Sequence, residues 1–438
     1  MLNFSKTVEL TSERAKAAER DSILSVCAGA TGDITLVDSA IIILYATMLG
    51  ANDMFSLITT SLIPLFNGIT IIPMALLAAK FGNQNLILRV CSLTFCAYLM
   101  VVAAPFFGTA AVAVLILFLM MSAVFQTGYI ASWFPMLDTF LSQERRNAYL
   151  SKMRFWWQLS SAVFIFVVGL CIGKNPPLWH LQVVLLIATL IFSGRIFFIA
   201  RIPVFKTEKK ETYQVKKGLL LAISNKPLAG YSVYLFVLNL AAYGTIPLAT
   251  LYLKKYLHAP DNIIVIISSI TLGGMLPGSI CAGKIIERFG LKNTFLSIHF
   301  IYALTNILIF CIGRNTMSPN FTYAVLSALL LIYSFTFAIA NIASTSEMMA
   351  LATPGNKIMA MAFCGTFYYG GSGLSRLVTS LVLGSGMLAT EWHIGSVSFC
   401  HYQTIFLIYS VAIVFAAALL VIVPAVFPKG EYSYYYNN

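Results

Sequence analysis

Apolar runs of about 20 residues recur along this 438-residue chain, separated by short polar breaks, and few folds accept that pattern. A helix of that length crosses the hydrocarbon core of a bilayer and satisfies its own backbone polar groups there. Only 10% of the residues are charged, 59% are hydrophobic and mean hydropathy is +0.84, whereas soluble domains carry roughly 25% charged residues. An all-α membrane protein is expected, with no soluble domain of useful size.

The runs predict helices at about 24–48, 54–79, 85–106, 109–135, 154–173 and 181–201, and again at 230–253, 262–283, 294–313, 321–346, 358–383 and 402–427. They make twelve transmembrane helices in two six-helix bundles, 24–201 and 230–427. A leading segment 1–23, a linker 202–229 and a tail 428–438 complete the division. The first 21 residues mix Lys6, Arg14, Lys16 and Arg20 with Glu9, Glu13, Glu19 and Asp21, without the apolar stretch of a cleavable signal.

The two halves are related. Asp53 to Asn85 aligns without a gap on Asp261 to Asn293, 208 positions later, with seven of 33 pairs identical. The identities include Phe81-Gly82 and Phe289-Gly290, so the pseudo-symmetry is marked at a turn.

Charge sets the orientation. Of 28 Lys and Arg, 21 lie at the termini and the even-numbered loops with their span ends, four lie in the odd-numbered loops, and Arg89, Arg195 and Arg376 fall within spans. By the positive-inside rule both termini are cytoplasmic, in an inner or plasma membrane. The net charge of +12 is explained by this distribution and by contact with anionic lipid along the linker, and no nucleic-acid partner is expected. The eight cysteines, at 27, 91, 96, 171, 281, 311, 364 and 400, lack metal-ligand spacing; no metal, cofactor or disulfide framework is expected.

Gly283, Glu287, Arg288, Gly290 and Lys292 follow the spacing Gly, three residues, acid, Arg, one residue, Gly, one residue, base; the first copy keeps Lys80 and Gly82. This pattern, the twelve spans and the long basic linker resemble the major facilitator superfamily along essentially the whole chain. Two departures stand out: the better copy lies in the second half, and the proline of the drug-antiporter fifth helix is missing from Gln158 to Gly173. The second departure argues against proton-driven drug efflux. The resemblance implies that Arg288 and Lys80 pair with acids at neighbouring helix ends, where Glu287, Glu347 and Asp138 stand, and hold the inner side closed. Enforcing orientation is the alternative role for both cations.

Acidic groups inside spans cost about 2.5–3.5 kcal/mol on insertion scales, so they mark candidate sites. Asp33 and Asp38 lie in the first span, about 140° apart on a regular helix. Asp38 lines up with Thr31, Thr35 and Tyr45 and is expected to face a central cavity, where it binds solute or takes up a proton. Asp33 is a second candidate; the alternatives are that either carboxylate is merely paired with a basic group, or that Asp33 sits in water near the inner interface. Arg376, behind Gly370-Gly371-Ser372-Gly373, binds an anionic group, balances an aspartate or snorkels outward. Arg195 is expected to be a helix-end cation, since sixth helices of the resembling family face lipid.

The same resemblance places Gln126, Tyr129, Trp133, Tyr234, Asn239, Tyr243, Tyr333 and Asn341 along the cavity. Trp156 and Trp157, beside Arg154, read as an interfacial belt.

The expectation is a monomeric secondary transporter, moving a small polar organic solute by alternating access with H⁺ as coupling ion, Na⁺ being the alternative. A drug or metabolite exporter is the second reading and a channel-like or receptor protein the third. An enzyme is not expected, because no Ser/His/Asp set or phosphate loop is present.

Overall fold

The computed structural model describes residues 11–141, 143–205, 215–314, 316–353, 356–395 and 397–422. The tail 428–438, the middle of the linker and the side chains of Glu144 and Arg146 lie outside the described residues.

Thr11 caps the first helix by accepting a hydrogen bond from the Arg14 amide at 3.4 Å. Helix α1 (Ser12–Asp33) therefore begins well before residue 24 and continues into a π-helical turn at Ile34–Asp38. At Ser39 the backbone is extended (φ −113°, ψ 168°), and α2 (Ala40–Met48) leaves at a bend of 43°. The first bundle continues with α3 (Asp53–Phe81), α4 (Asn83–Ala103), α5 (Ala111–Leu137), α6 (Gln143–Cys171) and α7 (Leu178–Arg201).

A short α8 (Val215–Ser224) leads into the second bundle. There α9 (Lys226–Ala242) breaks at Tyr243 and Gly244 before α10 (Thr245–Leu251) and a second π-helical turn at Tyr252–Tyr256. Next come α11 (Asp261–Phe289), α12 (Leu291–Phe310), α13 (Pro319–Leu351), α14 (Lys357–Ser385) and α15 (His401–Ile422). Between the last two lies a hairpin of β1 (Glu391–Ile394) and β2 (Val397–Cys400), whose strands the apolar runs did not foretell. Burial pushes the Cys400 thiol up to about 11.

By length and apolar composition nine helices among the described residues qualify as spans, or ten if the bent α1–α2 pair is one span. One of the nine, Asn83–Leu137, comprises α4 and α5, which pack on each other after a turn at Gly108 (φ 56°).

The repeat is visible in the backbone. Gly82 and Gly290, the paired turn glycines, end α3 and α11 at φ 82° and 74°, and each donates its amide four residues back, to Ala78 and Ile286 at 2.9 Å. A side chain is strained at such φ values, so the two positions require glycine for the same reason.

Two helix pairs join the bundles: α3 with α14, and α6 with α11. They correspond under the 208-residue offset, and small residues permit the first. A Cβ on Gly373 would lie 2.4 Å from the Leu65 amide, and one on Gly68 2.7 Å from that of Gly370. The bonds between bundles gather at the end opposite the start of α1 and at mid-depth. Lys255 approaches Asp53 at 3.7 Å, Tyr402 donates to Asp53, and the Asp261 amide donates to the Lys174 carbonyl at 3.0 Å. Nearer the middle, Ser269 Oγ donates to the Ala162 carbonyl at 2.8 Å and Ser279 Oγ to Gln158 at 3.3 Å. Residues Ala40–Ala46 of α2 are all buried, as are Pro247–Leu251 of α10, so this end is packed shut.

Candidate functional site

Arg376 on α14 lies at the centre of the seam between the bundles, with 7% of its side chain exposed. Its Nη1 sits 2.6 Å from Asp38 Oδ1, at the end of the first π turn, and donates to the Thr60 carbonyl at 2.6 Å. Its Nε donates to the Tyr243 carbonyl at 3.3 Å.

Proline explains why those two carbonyls are available. A helical carbonyl accepts from the amide four residues on, and four residues after Thr60 and Tyr243 stand Pro64 and Pro247. Neither has an N–H. The arginine thus takes the place of two missing donors, one in each bundle, and couples them to a carboxylate. Snorkelling is excluded for Arg376, which balances an aspartate.

Asp38 is different from its partner, with 53% of its side chain exposed. It can exchange Arg376 for water, a proton or a solute without entering a dry interior. Beyond Arg376 a polar chain runs through the second bundle: Tyr243 and Tyr368 hydroxyls meet at 2.5 Å, Tyr368 donates to Asn341, and Asn239 Nδ2 donates to the Tyr368 carbonyl at 3.5 Å. These residues border a narrow crevice of about 10 Å³, room for about one water.

The structure therefore brings Asp38, Arg376, Tyr243, Asn341 and Asn239 together. Gln126 on α5 is half-buried, and its Oε1 has no hydrogen-bond partner among the described residues. Tyr368 was missed because only Arg376 was read as a site residue on α14; its position one turn from Ser372, whose hydroxyl donates to the Tyr368 carbonyl at 2.8 Å, was the available cue.

Three expectations are corrected. The stripe from Asp38 to Tyr45 does not exist, because the π turn and the break at Ser39 change the helical phase; Tyr45 is fully buried and donates to the Val101 carbonyl at 3.1 Å. Arg195 is not a helix-end cation: 3% of its side chain is exposed and its Nη1 is 2.7 Å from Asp33. Asp33 in turn is buried rather than hydrated, and accepts from the Tyr98 hydroxyl at 2.7 Å. The third correction concerns three aromatics. Tyr129 lies under the Arg195 guanidinium at 4.1 Å, Tyr234 contacts His299, and Tyr333 donates to the Ala242 carbonyl, all within a bundle. Arg154, beside the Trp156–Trp157 pair on α6, is half-buried.

The loop residues lie elsewhere. Gly283, Glu287, Arg288 and Gly290 are exposed at the end of α11, with the Arg288 guanidinium 5.6 Å from the Phe289 ring centre. Lys80 is exposed, 5.7 Å from Phe81, and neither cation forms an ion pair among the described residues. Asp138 is exposed after α5, whereas Glu347 is buried and interacts electrostatically with Tyr231. Among the described residues no three His, Cys, Asp or Glu side chains form a metal-binding group.

A second cavity, of about 720 Å³, opens between the starts of α1 and α6. Its charged lining is Lys16, Arg20, Arg145 and Lys152 against Glu19, with Arg145 paired to Glu19 at 2.8 Å.

Two pseudo-symmetric helical bundles, broken first and seventh spans and an ion pair at their seam define a membrane carrier architecture. The Major Facilitator Superfamily family model matches residues 22–375, and the chain belongs to that family of secondary transporters. Among solved structures, a mutant of the nucleoside transporter NupG is similar at 14% identity and a TM-score of 0.68, covering 93% of this chain and 99% of that one. A POT family transporter in complex with a thioalcohol-conjugated peptide is similar at 11% identity and 0.68, covering 94% and 96%. A bacterial homologue of the iron transporter ferroportin, in an inward-facing state, is similar at 12% and 0.63, covering 92% and 98%. These likenesses concern the fold. A comparison with curated protein sequences finds no match.

Proposed function

We propose that this chain carries a small polar organic solute into the cell by alternating access, coupled to H⁺, with both termini cytoplasmic. The observation that carries the reading is the Asp38–Arg376 pair, which joins the bundles at mid-depth through one buried and one half-exposed partner. Protonation of Asp38, or a solute contact to it, releases Arg376 from its only carboxylate among the described residues. The arginine then holds the bundles together through two carbonyls alone, which lowers the resistance of the seam to rocking.

The closed far end and the exposed turn at Arg288 suit an inward-facing state, the state named for the ferroportin homologue. In the opposite state we infer that Arg288 and Lys80 engage acids at the inner ends, among them Glu347 and Asp138. Solutes identified by thermal stabilisation of the purified protein test the carrier: reconstituted into liposomes, it should give saturable counterflow. Large single-channel conductance, with no counterflow, would contradict it.

A further inference from the structure

We propose that the solute bears an anionic group, a carboxylate or phosphoryl, that docks on Arg154. This deepens the carrier reading and rests on it. Three observations support the assignment.

First, Arg154 faces the seam. Gln158 and Ala162 of α6 accept from Ser279 and Ser269 of α11, and residues four apart share a helix face, so Arg154 occupies the next turn of that contact stripe. It is half-buried, and the Tyr243–Tyr368–Asn341 chain lies across the seam in the second bundle.

Second, among the buried and half-buried arginines of the described residues, one lacks a counter-charge. Arg376 is balanced by Asp38 and Arg195 by Asp33, whereas Arg154 forms no ion pair among the described residues. A planar guanidinium of this kind matches the two oxygens of a carboxylate or phosphoryl group in a bidentate contact.

Third, this end of α6 is basic. Arg154 does not line the 720 Å³ cavity between α1 and α6, but that cavity sets four cations against Glu19 at the same end of the helix, a field that draws small anions toward it. An anionic lipid headgroup has the same chemistry as a solute anion, and the test separates them.

The readout is the modification of a cysteine placed at Thr345, one turn from Asn341, to which its hydroxyl donates at 2.7 Å. The eight native cysteines are replaced by serine. Rates are measured with sulfonatoethyl (anionic) and trimethylammonioethyl (cationic) methanethiosulfonates in zwitterionic vesicles. The anionic-to-cationic rate ratio should fall at least fivefold in Arg154→Gln and be retained in Arg154→Lys. An unchanged ratio in Arg154→Gln overturns the proposal. So does loss, when phosphatidylglycerol is added to the vesicles, of the difference in ratio between wild type and Arg154→Gln, because Arg154 would then be a lipid contact. Counterflow in the same vesicles separates the two readings: flux with an Arg154-independent ratio sinks only the anion site, and an Arg154-dependent ratio without flux sinks only the carrier.

Discussion

Asp33 and Asp38 are five residues apart on one helix, each meets an arginine, and the two pairs do opposite things. Asp33–Arg195 lies inside one bundle with 11% and 3% of the side chains exposed; Asp38–Arg376 joins two bundles, with 53% and 7% exposed. In the first, Tyr98 and the face of Tyr129 complete a dry shell, and α1 reaches α7 closely because Gly29 lacks a Cβ: one placed there would lie 1.7 Å from Arg195 Nε. In the second, one partner is fixed by two carbonyls while the other stays in reach of water. Burial therefore separates a pair that holds a bundle together from a pair that can be opened.

The largest effect expected from that contrast is on stability. Asp33→Asn leaves Arg195 charged and unpaired in the bundle, at a cost of about 3–5 kcal/mol, read as loss of monodisperse protein or a lowered melting temperature. If Asp33→Asn melts like wild type, the structural role is wrong. Arg376→Ala comes next: it orphans the Thr60 and Tyr243 carbonyls and costs about 1–3 kcal/mol, and counterflow of an identified solute should vanish. Gly29→Ala sharpens the comparison from the other side. It should destabilise by about 1–3 kcal/mol through crowding while the labelling pattern of the seam stays unchanged.

Smaller effects are expected at the exposed positions. Asp38→Asn should destabilise less than Asp33→Asn, by about 1–3 kcal/mol, because it takes the carboxylate from a buried arginine that keeps two carbonyl acceptors. Arg288→Ala should move it by no more than about 0.5 kcal/mol yet raise inner-face accessibility of cavity cysteines, and identical labelling would remove the gate role.

Much of this was legible in the residues. Apolar runs gave the helices, the Phe-Gly repeat gave the symmetry and the two φ-positive turns, and isolated charges in hydrocarbon singled out Asp33, Asp38 and Arg376. Pairing was not legible, because Asp38 and Arg376 are 338 positions apart and a helical wheel carries no information across bundles. The phase error at Tyr45 has a local cause: a π turn adds a residue that regular spacing does not count. Pro64 and Pro247 were visible throughout, and each marks a carbonyl four residues earlier in need of a donor.

The central claim is that Asp38, and not Asp33, couples the proton to transport. It is tested most directly by following accumulation and exchange of one solute in the same Asp38→Asn proteoliposomes under an imposed pH gradient. The account predicts that accumulation is abolished while exchange at equal pH persists near the wild-type rate. Accumulation equal to wild type would contradict it.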